Sequence, residues 1–144
     1  MSAIDYDLKK IRGVALDVDG VLSPSTIPLG SDGMPRRMVN IKDGYALQLA
    51  VKRGVKIAII TGGTSDAIVL RYRALGIADI YQGAGHKLPV LEEWMQKEGL
   101  TADEVAYMGD DIPDLKCLRH VGLSCCPHDA AREVLATARY ISRF

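Results

Sequence analysis

The sequence predicts an α/β protein in which helices cover both faces of a parallel sheet. Short runs rich in β-branched residues alternate with longer amphipathic runs, which is the pattern of βαβ units. Most of the short runs are nearly all apolar, as expected for strands that are covered on both faces. The 144 residues, 48% of them hydrophobic, are enough for one continuous core. We therefore expect a three-layer sandwich that forms a single domain over residues 1–144.

Six strands and five helices are expected in alternation along the chain. The predicted strands cover residues 14–18, 55–61, 79–81, 105–109, 122–124 and 140–141. The predicted helices cover residues 43–53, 65–75, 87–98, 112–120 and 128–137. A helix between two strands is the usual connection of parallel neighbours, so this order favours a parallel sheet throughout.

One segment interrupts the alternation between the first strand and the first helix. Residues 23–41 read as two extended stretches around a Gly-Ser-Asp-Gly turn, which predicts a small β-hairpin beyond the first strand. Its apolar residues are Ile27, Leu29, Met34, Met38 and Val39. A lone hairpin is only marginally stable in water, so these residues favour a partner over packing on the domain's own core.

Charge and cysteine content exclude several classes of protein. The 18 basic residues balance the 18 acidic ones, so no global field draws the chain to nucleic acid or to an anionic membrane. The polar first stretch lacks the apolar core of a signal peptide, and no later run approaches the ~18 apolar residues of a membrane span. The three cysteines have neither zinc-site spacing nor the density of a disulfide scaffold. We expect a cytoplasmic protein with no nucleic-acid or membrane partner.

Polar residues cluster where the predicted strands end. In parallel α/β sheets, ligands bind beyond the carboxyl ends of the strands. The polar and glycine residues expected at this edge are Asp17, Asp19, Thr61, Gly62, Lys87, Asp110, Asp111 and Asp114. Five carboxylates in one place repel each other, and a hard divalent cation with oxygen ligands relieves the repulsion. Mg²⁺ is the expected ion because it needs only one or two protein carboxylates and readily shares a phosphate oxygen.

A metal and a phosphate together suggest a role for each residue. A carboxylate can attack phosphorus, so Asp17 is the candidate nucleophile of an aspartyl-phosphate mechanism. Asp19 faces the same side of the extended chain, so it can protonate the leaving oxygen and later activate water. Lys87, Thr61 and the backbone amide of Gly62 supply positive charge and hydrogen-bond donors to the transferring phosphoryl group.

The remaining carboxylates are expected around the metal. Asp110 completes the metal shell with Asp17, while Asp111 and Asp114 orient it from nearby. The plainer alternative is that Asp111 and Asp114 cap the helix that follows, and one residue can do both.

These residues resemble, in order and spacing, the four motifs of the haloacid dehalogenase (HAD) superfamily. The motifs are Asp17-x-Asp19-Gly20, the strand-ending Thr61, Lys87, and Gly109-Asp110-Asp111-x-x-Asp114. The resemblance implies a Rossmann-like, HAD-like sandwich in which the backbone carbonyl of Asp19 also binds Mg²⁺. An aspartate two residues after the nucleophile marks phosphatases and phosphomutases in this superfamily. The motif spacings leave no room for a cap domain at either usual position.

Longer phrases resemble the 3-deoxy-D-manno-octulosonate 8-phosphate (KDO 8-phosphate) phosphatases over nearly the whole chain. They include LDVDGVLS, the hairpin, AIITG at 58–62 and VAYMGDD at 105–111. The resemblance implies hydrolysis of this phosphorylated sugar acid in lipopolysaccharide precursor biosynthesis. It also implies a homotetramer in which the hairpins pack together and one subunit covers the next one's site. Arg71 matches an arginine that lies near the sugar-acid end of the substrate.

Two departures from this family leave the substrate open. Gly63 stands where many relatives have a charged side chain, and the sequence ends at Phe144, where relatives usually continue into a glycine-rich tail. A phosphatase for nine-carbon ulosonic acid 9-phosphates, or for a broader set of sugar phosphates, is therefore the alternative. A non-catalytic assembly module that keeps the fold is an alternative of another class.

Overall fold

The computed structural model describes residues 4–144 and contains one six-stranded sheet flanked by five α-helices. The strands are β1 (Gly13–Leu16), β2 (Lys56–Ile60), β3 (Asp79–Tyr81), β4 (Val105–Met108), β5 (Leu123–Cys126) and β6 (Tyr140–Ile141). The helices are α1 (Ile41–Lys52), α2 (Asp66–Ala74), α3 (Lys87–Glu98), α4 (Leu115–His120) and α5 (Arg132–Thr137). Residues 1–3, which open the polar first stretch and the predicted domain, lie outside the described residues.

The helices form two layers, one on each face of the sheet. Alternate strand residues point to opposite faces, so Leu16 and Ile59 pack with α1 and α2. Ala15, Ala58 and Ile60 point the other way and pack with α3, α4 and α5. The three-layer α/β sandwich predicted from the sequence is confirmed.

The strand order places a crevice between β1 and β4. All strands are parallel, in the order β3-β2-β1-β4-β5-β6. After β1 the chain forms β2 and β3 on one side of it, and then crosses to form β4, β5 and β6 on the other side. Leu16 pairs with both Ile59 and Met108, which makes the carboxyl ends of β1, β2 and β4 level. Such a topological switch point is where open α/β sheets bind ligands.

Helices α1, α4 and α5 begin two to four residues from their predicted starts, and α2 begins one residue later than predicted. Helix α1 begins at Ile41 rather than at residue 43, because the Asn40 side chain accepts a hydrogen bond from the Asp43 amide (3.0 Å) and caps the helix there. Helix α5 begins only at Arg132, since residues 127–131 form a turn in which the Ala131 amide donates to the Asp110 carbonyl (2.7 Å).

Residues 23–40, here called the flap, turn back as predicted but do not form paired strands. The Gly33 amide donates to the Gly30 carbonyl (2.9 Å), and one antiparallel bridge joins Leu29 to Pro35. Three prolines, at positions 24, 28 and 35, lack the amide that a ladder requires, so the predicted hairpin is reduced to a turn and a bridge. The longest helices in residues 4–144 have 12 residues, and none is long and apolar enough to traverse a bilayer.

Candidate active site

A cleft of about 470 Å³ opens at the carboxyl edge of the sheet, over β1, β2 and β4. It contains all eight residues that the sequence places at this edge. They are Asp17, Asp19, Thr61, Gly62, Lys87, Asp110, Asp111 and Asp114. The parallel topology thus brings together residues that are almost 100 positions apart in the chain.

A buried ion-pair network lies at the floor of this cleft. The Lys87 ammonium is 3.1 Å from Oδ2 of Asp17 and 2.9 Å from Oδ1 of Asp114, and the three side chains are at most 8% exposed. Burial by itself lowers the pKa of Lys87, but the charges of Asp114 and Asp17 outweigh it and raise that pKa. Lys87 therefore stays charged next to the candidate nucleophile.

Asp114 is an anchor rather than a free metal ligand. Its Oδ1 accepts hydrogen bonds from Lys87 and from the Tyr107 hydroxyl (2.5 Å), and its Oδ2 accepts from the amides of Asp110 (3.0 Å) and Asp111 (3.2 Å). Four donors occupy the acceptor sites of one carboxylate. Asp114 is fully buried, so it fixes the backbone that carries Asp110.

The donor set of the cleft fits a hard divalent cation. Carboxylate oxygens of Asp17, Asp110 and Asp114 lie within 4.8 Å of one another. Burial, with the nearby Asp114 charge, raises the pKa of Asp17 to about 6; burial, with the charges of Asp17 and Asp114, raises the pKa of Asp110 to about 7. Asp17 and Asp110 are thus close, mutually repelling oxygen donors, a combination that Mg²⁺ relieves.

Gly20 allows Asp110 to reach this position. A Cβ atom at residue 20 would lie 1.8 Å from Oδ2 of Asp110, and the φ angle of +88° is one that L side chains rarely adopt. The glycine of the first motif is therefore required both by the turn and by the close approach of a carboxylate.

Asp111 caps the turn that leads into α4. Its side chain accepts from the Ile112 amide (2.8 Å) at the start of a 3₁₀ turn over Ile112–Asp114. Because this turn is 3₁₀, the helix predicted from residue 112 begins only at Leu115. Asp111 is exposed, so its direct contacts are those of a cap.

Thr61 and Gly62 form the opposite wall of the cleft. Thr61 is buried, and its hydroxyl oxygen accepts a hydrogen bond from the Gly63 amide (3.2 Å). Within residues 4–144 the Thr61 hydroxyl donates no hydrogen bond, so its proton is available to a ligand.

Arg37 of the flap is a residue that the sequence analysis missed. Its Nε and Nη2 donate to the two carboxylate oxygens of Asp19, at 2.8 and 2.9 Å. The guanidinium lies against Gly63, in the space that a side chain at this position would occupy. The sequence contains one signal for this contact, because glycine at position 63 leaves space for a charged side chain from another segment.

Arg71 lies outside the cleft. Its guanidinium packs against Gly44 of α1, beside a small pocket at the base of the flap that also includes Asn40 and Asp43. Within the described part of the chain, its Nε atom is buried and has no hydrogen-bond partner. The substrate contact predicted for Arg71 is therefore not made from the wall of this chain's own cleft.

Known proteins resemble this chain in sequence and in structure. A model of the haloacid dehalogenase-like hydrolases matches residues 72–144. A 3-deoxy-D-manno-octulosonate 8-phosphate phosphatase from Escherichia coli is 36% identical over 135 residues, which are 94% of this chain and 72% of that protein.

Two crystal structures of such phosphatases superpose closely on the fold. The structure from Yersinia pestis has a TM-score of 0.90 at 34% identity and covers 95% of this chain and 74% of its own. The structure from Moraxella catarrhalis, in complex with magnesium ion, phosphate ion and KDO molecule, has a TM-score of 0.89 at 36% identity, with 94% and 78% covered. As its four motifs predict, the chain belongs to the haloacid dehalogenase-like hydrolase family.

Proposed function

We propose that this hydrolase is a Mg²⁺-dependent phosphomonoesterase that acts through an aspartyl-phosphate on Asp17. The observation that carries the proposal is the placement of the buried Asp17 carboxylate between a lysine ammonium and a second carboxylate. The Lys87 ammonium lies 3.1 Å from one oxygen of Asp17. A carboxylate oxygen of Asp110 lies within 4.8 Å of a carboxylate oxygen of Asp17, close enough for both to bind one metal ion. Phosphoryl transfer depends mainly on positioned charges of this kind.

Asp17, Asp110 and, by the family resemblance, the backbone carbonyl of Asp19 would hold the ion. When bound, Mg²⁺ supplies positive charge that offsets the charge of the phosphoryl group. The chain itself keeps this region polar and rigid, since the amides that precede the cation site are tied to Asp114.

Two half-reactions follow from the side chains of the cleft. In the first, an oxygen of Asp17 forms a bond to phosphorus while the bond to the leaving oxygen breaks, and Asp19 gives that oxygen its proton. In the second, Asp19 removes a proton from water, the water oxygen attacks phosphorus, and the Asp17–phosphorus bond breaks to release inorganic phosphate. Of the two aspartates, Asp17 and Asp19, only Asp19 changes its protonation state.

Lys87 and Thr61 stabilise the phosphoryl group during both transfers. The Lys87 ammonium is held by two carboxylates at the depth of Asp17, so it faces the non-bridging oxygens of a bound phosphate. The Thr61 hydroxyl and the Gly62 amide donate from the other wall. A positioned donor of this type typically contributes about 10²–10³ in rate.

We propose KDO 8-phosphate as the substrate. The proposal is supported by the 36% identity to the phosphatase of that name and by the superposition on the structure with magnesium, phosphate and KDO. A nine-carbon ulosonic acid 9-phosphate, or a broader set of sugar phosphates, stays the alternative, because Gly63 offers no side chain to a sugar acid.

We also propose a homotetramer in which apolar contacts are made by the flap and α1. Ile41, Tyr45 and Leu49 are spaced by four residues on one face of α1, and Ile41 is 83% and Tyr45 67% exposed. Leu29, Met34, Met38 and Val39 of the flap are exposed as well. In such an assembly, Arg71 would contact a substrate shared between subunits.

A cytoplasmic location is proposed on the state of the cysteines. Cys117, Cys125 and Cys126 are free and buried. Burial raises the pKa of Cys117 and of Cys125 to about 12, so these thiols are not nucleophiles at neutral pH. Unpaired, reduced cysteines are typical of a reducing compartment.

The test is phosphate release in Mg²⁺ from a panel of substrates. The panel contains KDO 8-phosphate, a nine-carbon ulosonic acid 9-phosphate and simple hexose phosphates, and Asp17→Asn is the control. We expect the largest kcat/KM on the eight-carbon acid and activity at least ~10⁴-fold lower in Asp17→Asn, as for the loss of a covalent nucleophile.

Each other outcome selects a different conclusion. Equal activity of Asp17→Asn and the wild type would exclude the covalent mechanism. A preference for the nine-carbon acid would correct the substrate alone. A folded wild type that is inert on the whole panel would favour the non-catalytic assembly module.

A further inference from the structure

Arg37 binds the proposed acid–base residue and is not itself among the residues that line the cleft. Its guanidinium makes a fork-like contact with both oxygens of Asp19, at 2.8 and 2.9 Å. The Arg37 side chain is only 12% exposed, whereas that of Asp19 is 42% exposed and lines the cleft. Arg37 thus reaches the chemistry through Asp19.

The space for this guanidinium exists because residue 63 is glycine. A Cβ atom at position 63 would lie 2.4 Å from Nη2 of Arg37 and 3.3 Å from its Cζ. Both distances are shorter than ordinary van der Waals contact, and Nη2 would have to move. Any side chain at position 63 therefore competes with the contact between Arg37 and Asp19.

A closed ring of contacts holds Arg37 in this slot. The backbone of Asp19 forms a β-bridge with the backbone of Ser23. The buried Ser23 hydroxyl accepts a hydrogen bond from the amide of Met38 (3.0 Å), which is the residue after Arg37. The base of the flap is thereby tied to the turn after β1. Arg36 differs, since it is exposed and pairs with Asp32 inside the flap (2.9 Å).

The contact is compatible with proton transfer by Asp19. Each carboxylate oxygen has two lone pairs, and the guanidinium takes one on each oxygen. The remaining lone pairs can carry the proton that goes to the leaving oxygen as the Asp17–phosphorus bond forms. Arginine stays protonated in proteins, so Arg37 neither accepts nor supplies this proton.

We infer that Arg37 is a positioning residue that aims the Asp19 carboxylate at the leaving-group oxygen, and that Gly63 provides the slot for its guanidinium. The inference rests on the proposed function, in which Asp19 is the proton donor. A free aspartate samples several rotamers, whereas a bidentate fork leaves one orientation. A misplacement of about 1 Å at such a group can cost about 100-fold in rate.

The first experiment compares two leaving groups in Arg37→Met. The kcat/KM of each enzyme is measured on the preferred sugar phosphate and on p-nitrophenyl phosphate, because nitrophenolate leaves without a proton. We expect a fall of about 10–100-fold on the sugar phosphate and of less than about threefold on the aryl phosphate. Arg36→Met is the matched control, and we expect it to match the wild type on both.

Two further variants separate positioning from support of the fold. Gly63→Ala should reproduce the selective loss on the sugar phosphate, and it should add little in the Arg37→Met background. In the Asp19→Asn background, Arg37→Met should change the ratio of the two kcat/KM values by less than about twofold, since coupled residues are not additive. If Arg37→Met fails to fold, Gly63→Ala decides alone.

Several results would overturn the inference. They are an equal loss on both substrates in folded Arg37→Met, the same loss in Arg36→Met, or a Gly63→Ala enzyme with an unchanged ratio. Failure of the proposed function looks different, because Asp17→Asn would then keep its activity or the wild type would release no phosphate.

Discussion

Asp110→Asn should stabilise the metal-free protein while abolishing its response to Mg²⁺. Asp110 lies beside Asp17 and Asp114, and its pKa is raised from 3.8 to about 7, by burial first and then by these charges. A carboxyl whose pKa is raised by folding makes its full contribution to stability at pH values below its pKa in the unfolded state. That stability is lost as pH rises through the folded value. The wild type should thus lose stability between about pH 4 and pH 7, a loss that asparagine avoids.

The magnitude follows from the size of this shift. Three pKa units correspond to about 4 kcal/mol, and screening of the half-buried Asp110 by water reduces this to about 1–2 kcal/mol at pH 8. For a protein of this size, that is a rise in Tm of about 3–6 °C.

The assay is thermal unfolding followed by circular dichroism, at pH 5 and pH 8, in EDTA and in saturating Mg²⁺. Wild-type Tm should rise with Mg²⁺ at pH 8, whereas Tm of Asp110→Asn should be higher in EDTA and should not respond. Asp111→Asn is the control, because Asp111 is exposed and asparagine caps equally well. A lower Tm of Asp110→Asn in EDTA at pH 8, or an undiminished response to Mg²⁺, would refute the electrostatic reasoning.

Three other substitutions test separate parts of the structure. Lys87→Met leaves the buried Asp17 and Asp114 without their cation, so the free energy of unfolding in urea should fall by about 3–5 kcal/mol. Gly20→Ala places a Cβ 1.8 Å from Oδ2 of Asp110, a proposed metal ligand, and Mg²⁺ affinity measured by calorimetry should fall by about 10–100-fold. Ile41→Asp introduces a charge on the exposed face of α1, and sedimentation should show smaller oligomers at the same concentration.

Each of these has its own contradicting result. Lys97 is an exposed lysine of the same helix, and Lys97→Met should cost less than about 1 kcal/mol; an equal loss in both variants would exclude a special role for Lys87. Unchanged Mg²⁺ affinity in Gly20→Ala would place the ion away from Asp110. A wild type that is monomeric at every concentration would remove the basis of the Ile41→Asp test.

The fold and the membership of the cleft could be predicted because both follow from local signals. Apolar runs such as that of β2 are buried on either face, and a helix between two such runs makes them parallel. The first one or two residues after each strand then lie at one edge, whatever the details of packing. Asp17, Thr61 and Asp110 could therefore be placed together, although β1 and β4 are separated by almost 90 residues.

The contacts inside the cleft depend on features that sequence spacing does not contain. Asp114 is expected from the sequence to orient the metal shell from nearby, and the structure shows its oxygens accepting from four donors, two of which are the backbone amides of Asp110 and Asp111. One of these donors is Tyr107, a residue that reads as an ordinary core aromatic of β4. Its hydroxyl lies 2.5 Å from Oδ1 of Asp114, a contact between side chains that the strand pattern does not predict.

Arg36 and Arg37 show most clearly what the sequence alone withholds. The two adjacent arginines lie on an irregular segment, so no helix or strand periodicity predicts which of them points towards Asp19 and which towards solvent. Their difference arises from the Ser23–Met38 bond, which sets the direction of the flap's base, and from the missing side chain at Gly63. Glycine at position 63 therefore does more than remove a side chain that could contact a ligand in the cleft. It opens a position that a side chain from a distant segment can fill, and the chemistry of the site then depends on both residues together.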